Sequence, residues 1–305
     1  MTQHNKLFCF GYGYSCDYLG HELHAQGWDI AGTTRNVEKR ETLKTRGVET
    51  HLFDYECPLP DPLYTLKDTT HLVISTPPGD DGDPTFLMHA QDILKLENLQ
   101  WVGYLSTTGV YGDRDGGWVD ETSEIRPNSK RGSRRALAEE QWLSLVKSHH
   151  LPVHIFRLAG IYGPGRCALD SIRAGVARRI DKPGHAFSRI HVEDIVQILL
   201  ASMKHPNPGA AYNVCDDFAA PSHEVIAHAC DLLARPIPPI IPFEEADLSP
   251  MARSFYADHK RVNNKRIKEE LGVDLKYKNY IDGLQACMDA EDYALSLFKG
   301  IGQKS

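Results

Sequence analysis

The stretch FGYGYSCDYLG, residues 10–20, decides the fold class of this chain. It begins at the end of the apolar run LFCF, residues 7–10, and it leads into a pattern typical of a helix. Gly11, Gly13 and Cys16 therefore match G-x-G-x-x-G at a strand-to-helix turn, with Cys16 in place of the last glycine. In such a turn the glycine backbone and the helix N-terminus bind a pyrophosphate, and a small Cys fits the third position at some cost. The alternative is a glycine-rich turn without a ligand.

Short apolar runs and helical patterns alternate after this turn. The pattern predicts strands at 28–34, 48–53, 71–76 and 101–107, and helices at 37–45 and 85–96. The second half is less regular, with a predicted strand and loop at 151–163, a helix at 191–203, a strand at 211–216, a Pro-rich break at 236–243 and helices at 261–272 and 280–298. We predict an α/β fold built on a doubly wound parallel Rossmann sheet.

Composition narrows the class of function. The chain has 305 residues, a formal net charge of −7 and a pI near 6.1, which argue against nucleic acid or an anionic membrane as the main partner. We expect a small-molecule substrate. No charged leader precedes an apolar stretch, and no apolar run reaches the roughly 18 residues that span a bilayer, so we expect a soluble, cytoplasmic protein. Seven scattered cysteines without a Cys-x-x-Cys pair, and histidines without HExxH, predict no disulfide framework and no metal.

The end of the second predicted strand bears on the choice of dinucleotide. An NAD site carries an acidic residue about 20 residues after the glycines, for the ribose 2′-hydroxyl, but this chain has GTTRNVEKR there. Arg35 can pair with a 2′-phosphate in a bidentate manner, and Thr34 and Asn36 are nearby donors. We therefore expect NADP, with NAD possible. The alternative is that Arg35 is an ordinary surface residue.

Further motifs resemble those of one family. The segments GYGYSC, STTGVYG, RLAGIYGPG, RIHVEDI and NNKRIKEELGV are similar to those of the extended short-chain dehydrogenase/reductases, in the NAD-dependent epimerase/dehydratase group and its atypical, YeeZ-like members. The resemblance covers nearly the whole length. It implies an NADP-binding Rossmann domain, residues 1–164 and 190–220, and a smaller C-terminal α/β substrate domain, residues 165–189 and 221–305. It also implies an anionic substrate, often a nucleotide sugar, and a possible homodimer formed through the helix at 129–147.

The resemblance assigns cofactor contacts position by position. It places Asp54 near the adenine amine, Ser75 and Thr76 beside the cofactor, and Tyr14 and Ser15 in the glycine-rich turn with Gly11 and Gly13. Thr107, four residues before Tyr111, takes the place of the active-site hydroxyl. The alternative for Thr107 is a strand-end hydroxyl that makes only local backbone bonds.

The stretch NSKRGSRRALAEE, residues 128–140, departs from the family. Aligned on Glu139, it has Arg131 where the family has its catalytic Tyr and Arg135 where the family has its Lys. A tyrosine, with a pKa of about 10, can be tuned to shuttle a proton, whereas arginine stays protonated. Arg131 can polarise a carbonyl or bind an anion but cannot act as a base, and Arg135 can hold a ribose hydroxyl by donation.

Helical spacing places three of these cations on one face. Arg131, Arg134 and Arg135 stand at i, i+3 and i+4, and Arg135 has Glu139 one turn on as a partner. Gly132 indicates a close approach by another group. The alternative is a solvated basic patch. Its neutralising acids would then be Asp120, Glu121 and Glu124.

Other candidates belong to the substrate side by resemblance. They are Tyr111, Arg157, Tyr162, Arg166, Arg189 and His191. Structural roles are preferred for the two tyrosines, and a packing or capping role for His191. The resulting hypothesis is an NADP-dependent oxidoreductase or epimerase acting on a nucleotide-sugar-like or other anionic molecule, with Thr107 orienting and Arg131 polarising the substrate. The alternative is a catalytically inactive protein that binds or senses NADP(H).

Overall fold

The structure, a computed structural model, describes residues 4–301. Its strands are β1 Lys6–Phe10, β2 Asp29–Thr34, β3 Glu49–Leu52, β4 His71–Ile74, β5 Trp101–Thr107, β6 Trp118–Val119, β7 Val153–Leu158, β8 Gly160–Tyr162, β9 Arg179–Asp181, β10 Arg189–His191, β11 Ala211–Val214, β12 Ile240–Pro242 and β13 Arg261–Val262. Its α-helices are α1 Tyr14–Ala25, α2 Val37–Thr45, α3 Pro62–Thr65, α4 Pro84–Ile93, α5 Lys130–His149, α6 Ala168–Arg173, α7 Val192–Lys204, α8 Ser222–Leu232, α9 Pro250–Phe255, α10 Lys265–Leu271 and α11 Tyr280–Ile301.

Seven parallel strands form the central sheet, in the order β11-β7-β5-β4-β1-β2-β3. The chain runs outward from β1 to β3 and returns to place β4 on the other side of β1. This reversal leaves a crevice at the carboxyl ends of β1 and β4, where ligands of doubly wound folds bind. The predicted fold class is confirmed.

Helices cover both faces of the sheet, so its strands are apolar on both sides. In β1, Leu7 and Cys9 belong to a core shared with α1, α7 and α10, whereas Phe8 and Phe10 belong to a second core shared with α4 and α5. Trp142 of α5 is fully buried in that second core. The sheet is therefore a fixed support for the loops at its carboxyl edge.

The C-terminal part adds small parallel sheets and a helical cluster. Strands β9 and β12 pair, as do β8 with β10 and β6 with β13. Helices α6, α8 and α11 share a separate apolar cluster. The Pro-rich segment at 236–243, expected only to break the chain, contains β12, which Pro242 can join because β12 is an edge strand.

The proposed domain boundaries remain a prediction. Helix α10 lies in the segment assigned to the substrate domain, yet its Ile267 and Leu271 pack in the core with α1 and α7.

Within residues 4–301, no helix is both long enough and apolar enough to cross a membrane.

Candidate functional site

A large cleft opens at the carboxyl edge of the sheet and has a volume of about 1040 Å³. Gly13, Tyr14 and Ser15 line one end of it, at the start of α1. The end of β5 and the first turn of α5 line its middle, and loops of the C-terminal part line the far wall. In the described part of the chain, no group of three or more His, Cys, Asp or Glu side chains is arranged to hold a metal ion.

The glycine-rich turn is held tightly against the end of β4. Gly11 has φ +81°, and a Cβ there would lie 3.1 Å from the Thr76 backbone nitrogen. Its N–H donates to Thr33 Oγ1 at 2.9 Å, and Ser75 Oγ donates to its carbonyl oxygen at 2.6 Å. A side chain at position 11 is therefore disfavoured by both backbone conformation and space.

Gly13 leaves the N-terminus of α1 open to the cleft. It is the N-cap residue, and within the described residues no side chain caps the helix and a Cβ there would meet only the Gly11 carbonyl oxygen, at 3.7 Å. An uncapped helix N-terminus with free space in front of it suits a diphosphate. Cys16, at the third motif position, is buried, and its Sγ lies 3.8 Å from Ser75 Oγ. The residues present thus fit the pyrophosphate of a dinucleotide.

Of the three candidates at the end of β2, only Arg35 has a side chain that makes no local hydrogen bond within the described residues. Thr34 Oγ1 accepts from the Asn36 N–H at 3.2 Å, and Asn36 Oδ1 caps α2 by accepting from the Lys39 N–H at 2.8 Å. Arg35 is exposed, and no ion pair or hydrogen bond engages its guanidinium within the described residues. Thr34 and Asn36 therefore serve the local turn.

The side chains of Asp54 and Thr76 make hydrogen bonds to residues that are close to them in the chain. Asp54 Oδ1 accepts from the backbone N–H groups of Glu56 and Cys57, at 2.8 and 2.9 Å. Thr76 is buried, and its hydroxyl lies 3.2 Å from Asp83 Oδ2, outside the cleft lining. Burial raises the pKa of Asp83 to about 6. Of the residues expected beside the cofactor after β4, Ser75 lines the cleft and Thr76 does not.

Thr107 lies in the cleft wall, next to the first turn of α5. Its Oγ1 accepts from the Gly109 N–H at 3.1 Å, which leaves the hydroxyl proton available to a ligand. A Cβ at Gly132 would lie 2.7 Å from the Gly109 carbonyl oxygen. The close approach expected at Gly132 is therefore to the protein's own backbone, and it seats Arg131 and Arg135 beside Thr107.

The two arginines at the family's Tyr and Lys positions both line the cleft. Arg131 stacks over the Phe255 ring at 5.8 Å, and burial, together with Arg135 and Arg166, lowers its pKa. Arg135 Nη1 donates to Tyr104 Oη at 3.0 Å and to the Leu105 carbonyl oxygen at 2.9 Å. The mutual repulsion at Arg131 shows that these cations share one space.

Two expectations about the basic stretch were wrong. Arg135 does not pair with Glu139, because Glu139 is buried and binds Arg157. Arg134 and Lys130 pair with Asp80, at 2.8 and 3.1 Å, and these pairs lower the pKa of Asp80 to about 2. Lys130 still lines the cleft, whereas Arg134 does not. The carboxylate that pairs with the basic patch is therefore that of Asp80. Asp120, Glu121 and Glu124, the acids that the alternative of a solvated patch assigned to it, make no ion pair in the described part of the chain.

Arg157 and Tyr111, expected on the substrate side, lie in a buried network instead. Arg157 is 5% exposed, and its Nη2 lies 2.9 Å from Glu139 Oε2. Its Nη1 donates to Tyr111 Oη at 2.9 Å, and Tyr111 in turn donates to Asn213 Oδ1 at 2.7 Å. Neither residue lines the cleft. They join α5 to β7 and β11 beneath the site.

The remaining substrate candidates are divided between cleft and core. Tyr162, Arg166 and Arg189 line the cleft. Arg189 is held by the carbonyl oxygens of Phe187 and Ala220, both at 2.8 Å, and burial lowers its pKa. His191 is fully buried and caps α7, and burial lowers its pKa to about 4, so it is neutral near pH 7.

Two cleft residues were missed from the sequence. Lys260 is 8% exposed and lines the far wall, and its Nζ lies 3.1 Å from Asp258 Oδ2. Burial lowers the pKa of Lys260. The pair lies in an irregular segment before β13, without a motif or a periodic pattern that could have revealed it. The described cleft wall thus carries several cations and few acids.

Strand order and the glycine-rich turn at the switch point define a Rossmann-type α/β protein. A sequence profile of the NAD dependent epimerase/dehydratase family matches residues 90–215. Protein YeeZ of Escherichia coli (strain K12) is 30% identical over 230 residues, which cover 72% of this chain and 78% of YeeZ. The chain therefore belongs to the NAD dependent epimerase/dehydratase family.

Solved structures agree with this fold. A functionally unknown conserved protein from Silicibacter pomeroyi DSS is 50% identical, with a TM-score of 0.87 over 94% of this chain and 99% of that one. A dTDP-glucose 4,6-dehydratase from Bacillus anthracis str. Ames, in complex with NAD, has a TM-score of 0.73 at 16% identity, over 95% and 98% of the two chains. This second likeness bears on the fold alone.

Proposed function

We propose that this protein binds NADP in the cleft and acts as an oxidoreductase or epimerase on an anionic small molecule. The observation that carries the proposal is the make-up of the cleft. One end is an uncapped helix N-terminus at Gly13, and the same space is lined by Arg131, Arg135, Arg166 and Arg189. The helix end suits a diphosphate, and the guanidinium groups suit a phosphate or carboxylate of the substrate.

The cofactor preference rests on the end of β2. The backbone from Gly11 to Ser15 would hold the pyrophosphate, and Arg35 would pair with a ribose 2′-phosphate. An exposed guanidinium that has no partner among the described residues suits a bidentate contact of this kind. A bound nicotinamide dinucleotide supplies hydride transfer, which none of the protein's side chains can provide.

The protein's own residues would orient and polarise the substrate. The Thr107 hydroxyl can donate to a substrate oxygen, because its Oγ1 already accepts from Gly109. Arg131 stays protonated, so it can stabilise negative charge on a carbonyl oxygen but cannot remove a proton. Lys260 lines the same cleft, and its lowered pKa lets it exchange a proton closer to neutral pH than Arg131 can.

A second candidate is an NADP(H)-binding or sensing protein without catalysis. The arginine at the family's Tyr position favours it, because a permanently charged group cannot perform the phenol's proton transfer. Arg135 Nη1 also donates its hydrogen bonds to Tyr104 and Leu105, so this nitrogen is not available to a ligand.

Cofactor absorbance in the presence of candidate substrates separates the two. NADPH oxidation at 340 nm is followed with a panel of oxo acids, sugar phosphates and nucleotide sugars, for wild type, Thr107→Val and Arg131→Met. An enzyme turns over at least one substrate and is slowed by both substitutions, about 10- to 100-fold for the loss of one polar contact to a charged transition state. A binder shows no turnover with any member of the panel while all three chains bind NADPH equally. Arg134→Met, which faces Asp80, is the matched control and leaves both readouts unchanged.

A further inference from the structure

Two cysteines meet at the wall of the cleft. Cys167 ends the loop at 163–167 and precedes α6; it is partly buried and lines the cleft. Cys287 lies on α11, fully buried in the apolar cluster against which Cys167 packs. The two thiols hydrogen-bond to each other. Cys167 therefore reaches the cleft, and its partner Cys287 is buried behind it.

A buried histidine, His191, determines which of the two cysteines donates the hydrogen bond between them. His191 Nδ1 accepts from the Glu193 N–H at 3.3 Å, so in the neutral ring the proton resides on Nε2. Nε2 lies 3.8 Å from Cys287 Sγ and can donate to it. Cys287 then directs its own S–H toward Cys167, and this hydrogen bond lowers the pKa of Cys167. The relay leaves Cys167 as the more nucleophilic sulfur of the pair.

We propose that Cys167 and Cys287 form a peroxide-reactive dithiol, with Cys167 as the attacking and Cys287 as the resolving sulfur. The Cys167 thiol loses its proton, its thiolate attacks one oxygen of hydrogen peroxide, and the O–O bond breaks, giving a sulfenic acid. The hydroxide that leaves takes up the proton from Cys167 and becomes the first water. Cys287 then attacks that sulfur, forms the S–S bond and expels hydroxide, which takes up the Cys287 proton to become water. The two sulfurs lose two electrons in total, and one peroxide is reduced to two waters.

The cross-link would act on the part of the cleft next to the glycine-rich turn. Tyr14 Oη donates to the Pro164 carbonyl oxygen at 2.9 Å, and Arg166 lies over the Tyr14 ring at 5.5 Å. The loop that ends at Cys167 therefore already rests on the residue that follows Gly13. A disulfide to Cys287 anchors the end of this loop to α11. This proposal does not depend on the proposed function.

A second pair in the chain provides an internal comparison. Cys9 and Cys16 also hydrogen-bond to each other, but both are buried under the glycine-rich turn. Peroxide cannot reach either sulfur in the folded protein. Cys57 is exposed and has no thiol partner among the described residues, so its surface oxidation would add to the count of lost thiols, and the test removes it. Selective oxidation of the cleft pair is thus distinguishable from general thiol loss.

The test uses the full chain carrying Cys57→Ser, treated with hydrogen peroxide, alkylated without reduction and mapped by mass spectrometry. We expect two thiols to be lost and one disulfide-linked peptide joining Cys167 to Cys287, with Cys9 and Cys16 alkylated only after unfolding. The variant Cys287→Ser should trap Cys167 as a sulfenic acid that dimedone labels, and Cys167→Ser should leave Cys287 reduced. A Cys167 that resists peroxide, or one that proceeds to sulfinic acid while Cys287 stays reduced, overturns the proposal. If Cys287→Ser fails to fold, the Cys57→Ser and Cys167→Ser maps decide alone.

Discussion

The free energy of unfolding of the Arg157→Met variant distinguishes an arginine that stabilises the fold from one that is available to bind a ligand. Arg157 and Glu139 bury their side chains to 6% and 5% exposure at a separation of 2.9 Å. Removing one partner of a buried pair leaves an uncompensated charge and costs about 3–5 kcal/mol of unfolding free energy. The Tyr111 hydroxyl also loses its contact with Nη1, which adds to the loss. We expect a loss of this size in urea unfolding monitored by circular dichroism.

The matched control is Arg166→Met, because Arg166 is exposed in the cleft wall. Its replacement should change the unfolding free energy by less than about 0.5 kcal/mol. The double variant Glu139→Gln with Arg157→Met should recover much of the loss, since no buried charge then remains unpaired. A loss below about 1 kcal/mol for Arg157→Met, or no coupling between the two positions, refutes the assignment of Arg157 to the buried network.

Three further predictions follow from the site. Gly11→Ala should destabilise the fold by about 1–3 kcal/mol, measured by urea unfolding, because φ is +81° and the new Cβ lies 3.1 Å from a backbone nitrogen; an unchanged midpoint would contradict the tight turn. Arg35→Ala should weaken NADPH binding about 10- to 100-fold in calorimetry and leave NADH binding unchanged, because it removes a charge-assisted contact to the 2′-phosphate; equal loss for both dinucleotides would contradict the assignment. Burial raises the pKa of Asp216 from 3.8 to about 8, so the folded state keeps a proton that the unfolded state has lost. Stability from this group is therefore full below pH 4 and is lost as pH rises to 8, and Asp216→Asn should flatten the profile by up to about 1.4 kcal/mol per pH unit; parallel profiles would contradict it.

Much of the fold follows from the sequence because its signals are local. The strand-to-helix turn at 10–20 and the alternation of apolar runs with helical patterns predicted the parallel sheet. The predicted helix at 37–45 coincides with α2. Short elements such as β9, β12 and α9 were missed, since two to six residues carry no measurable period. Their conformation depends on packing with distant parts of the chain.

The candidate site was only partly predictable, because partners of charged side chains are set in three dimensions. Sequence spacing offered Glu139 to Arg135, but the buried Arg157 on β7 binds it, and Arg135 is left to donate to β5. Asp80, which forms ion pairs with Lys130 and Arg134, lies about 50 residues away from them in the chain. Lys260 and Asp258 come from a segment without regular structure. The glycine-rich turn was predictable since its backbone conformation depends on its own residues.

Titration of NADPH into wild type and Gly13→Asp, by fluorescence or calorimetry, tests the central claim most directly. An aspartate suits an N-cap position, and space is free at Gly13, so the variant should fold with an unchanged or raised unfolding midpoint. Its carboxylate would occupy the place of the diphosphate and repel it. The account predicts saturable 1:1 binding of NADPH to wild type and loss of that binding in Gly13→Asp. Failure of wild type to bind either nicotinamide dinucleotide, or equal binding by the folded variant, would contradict it.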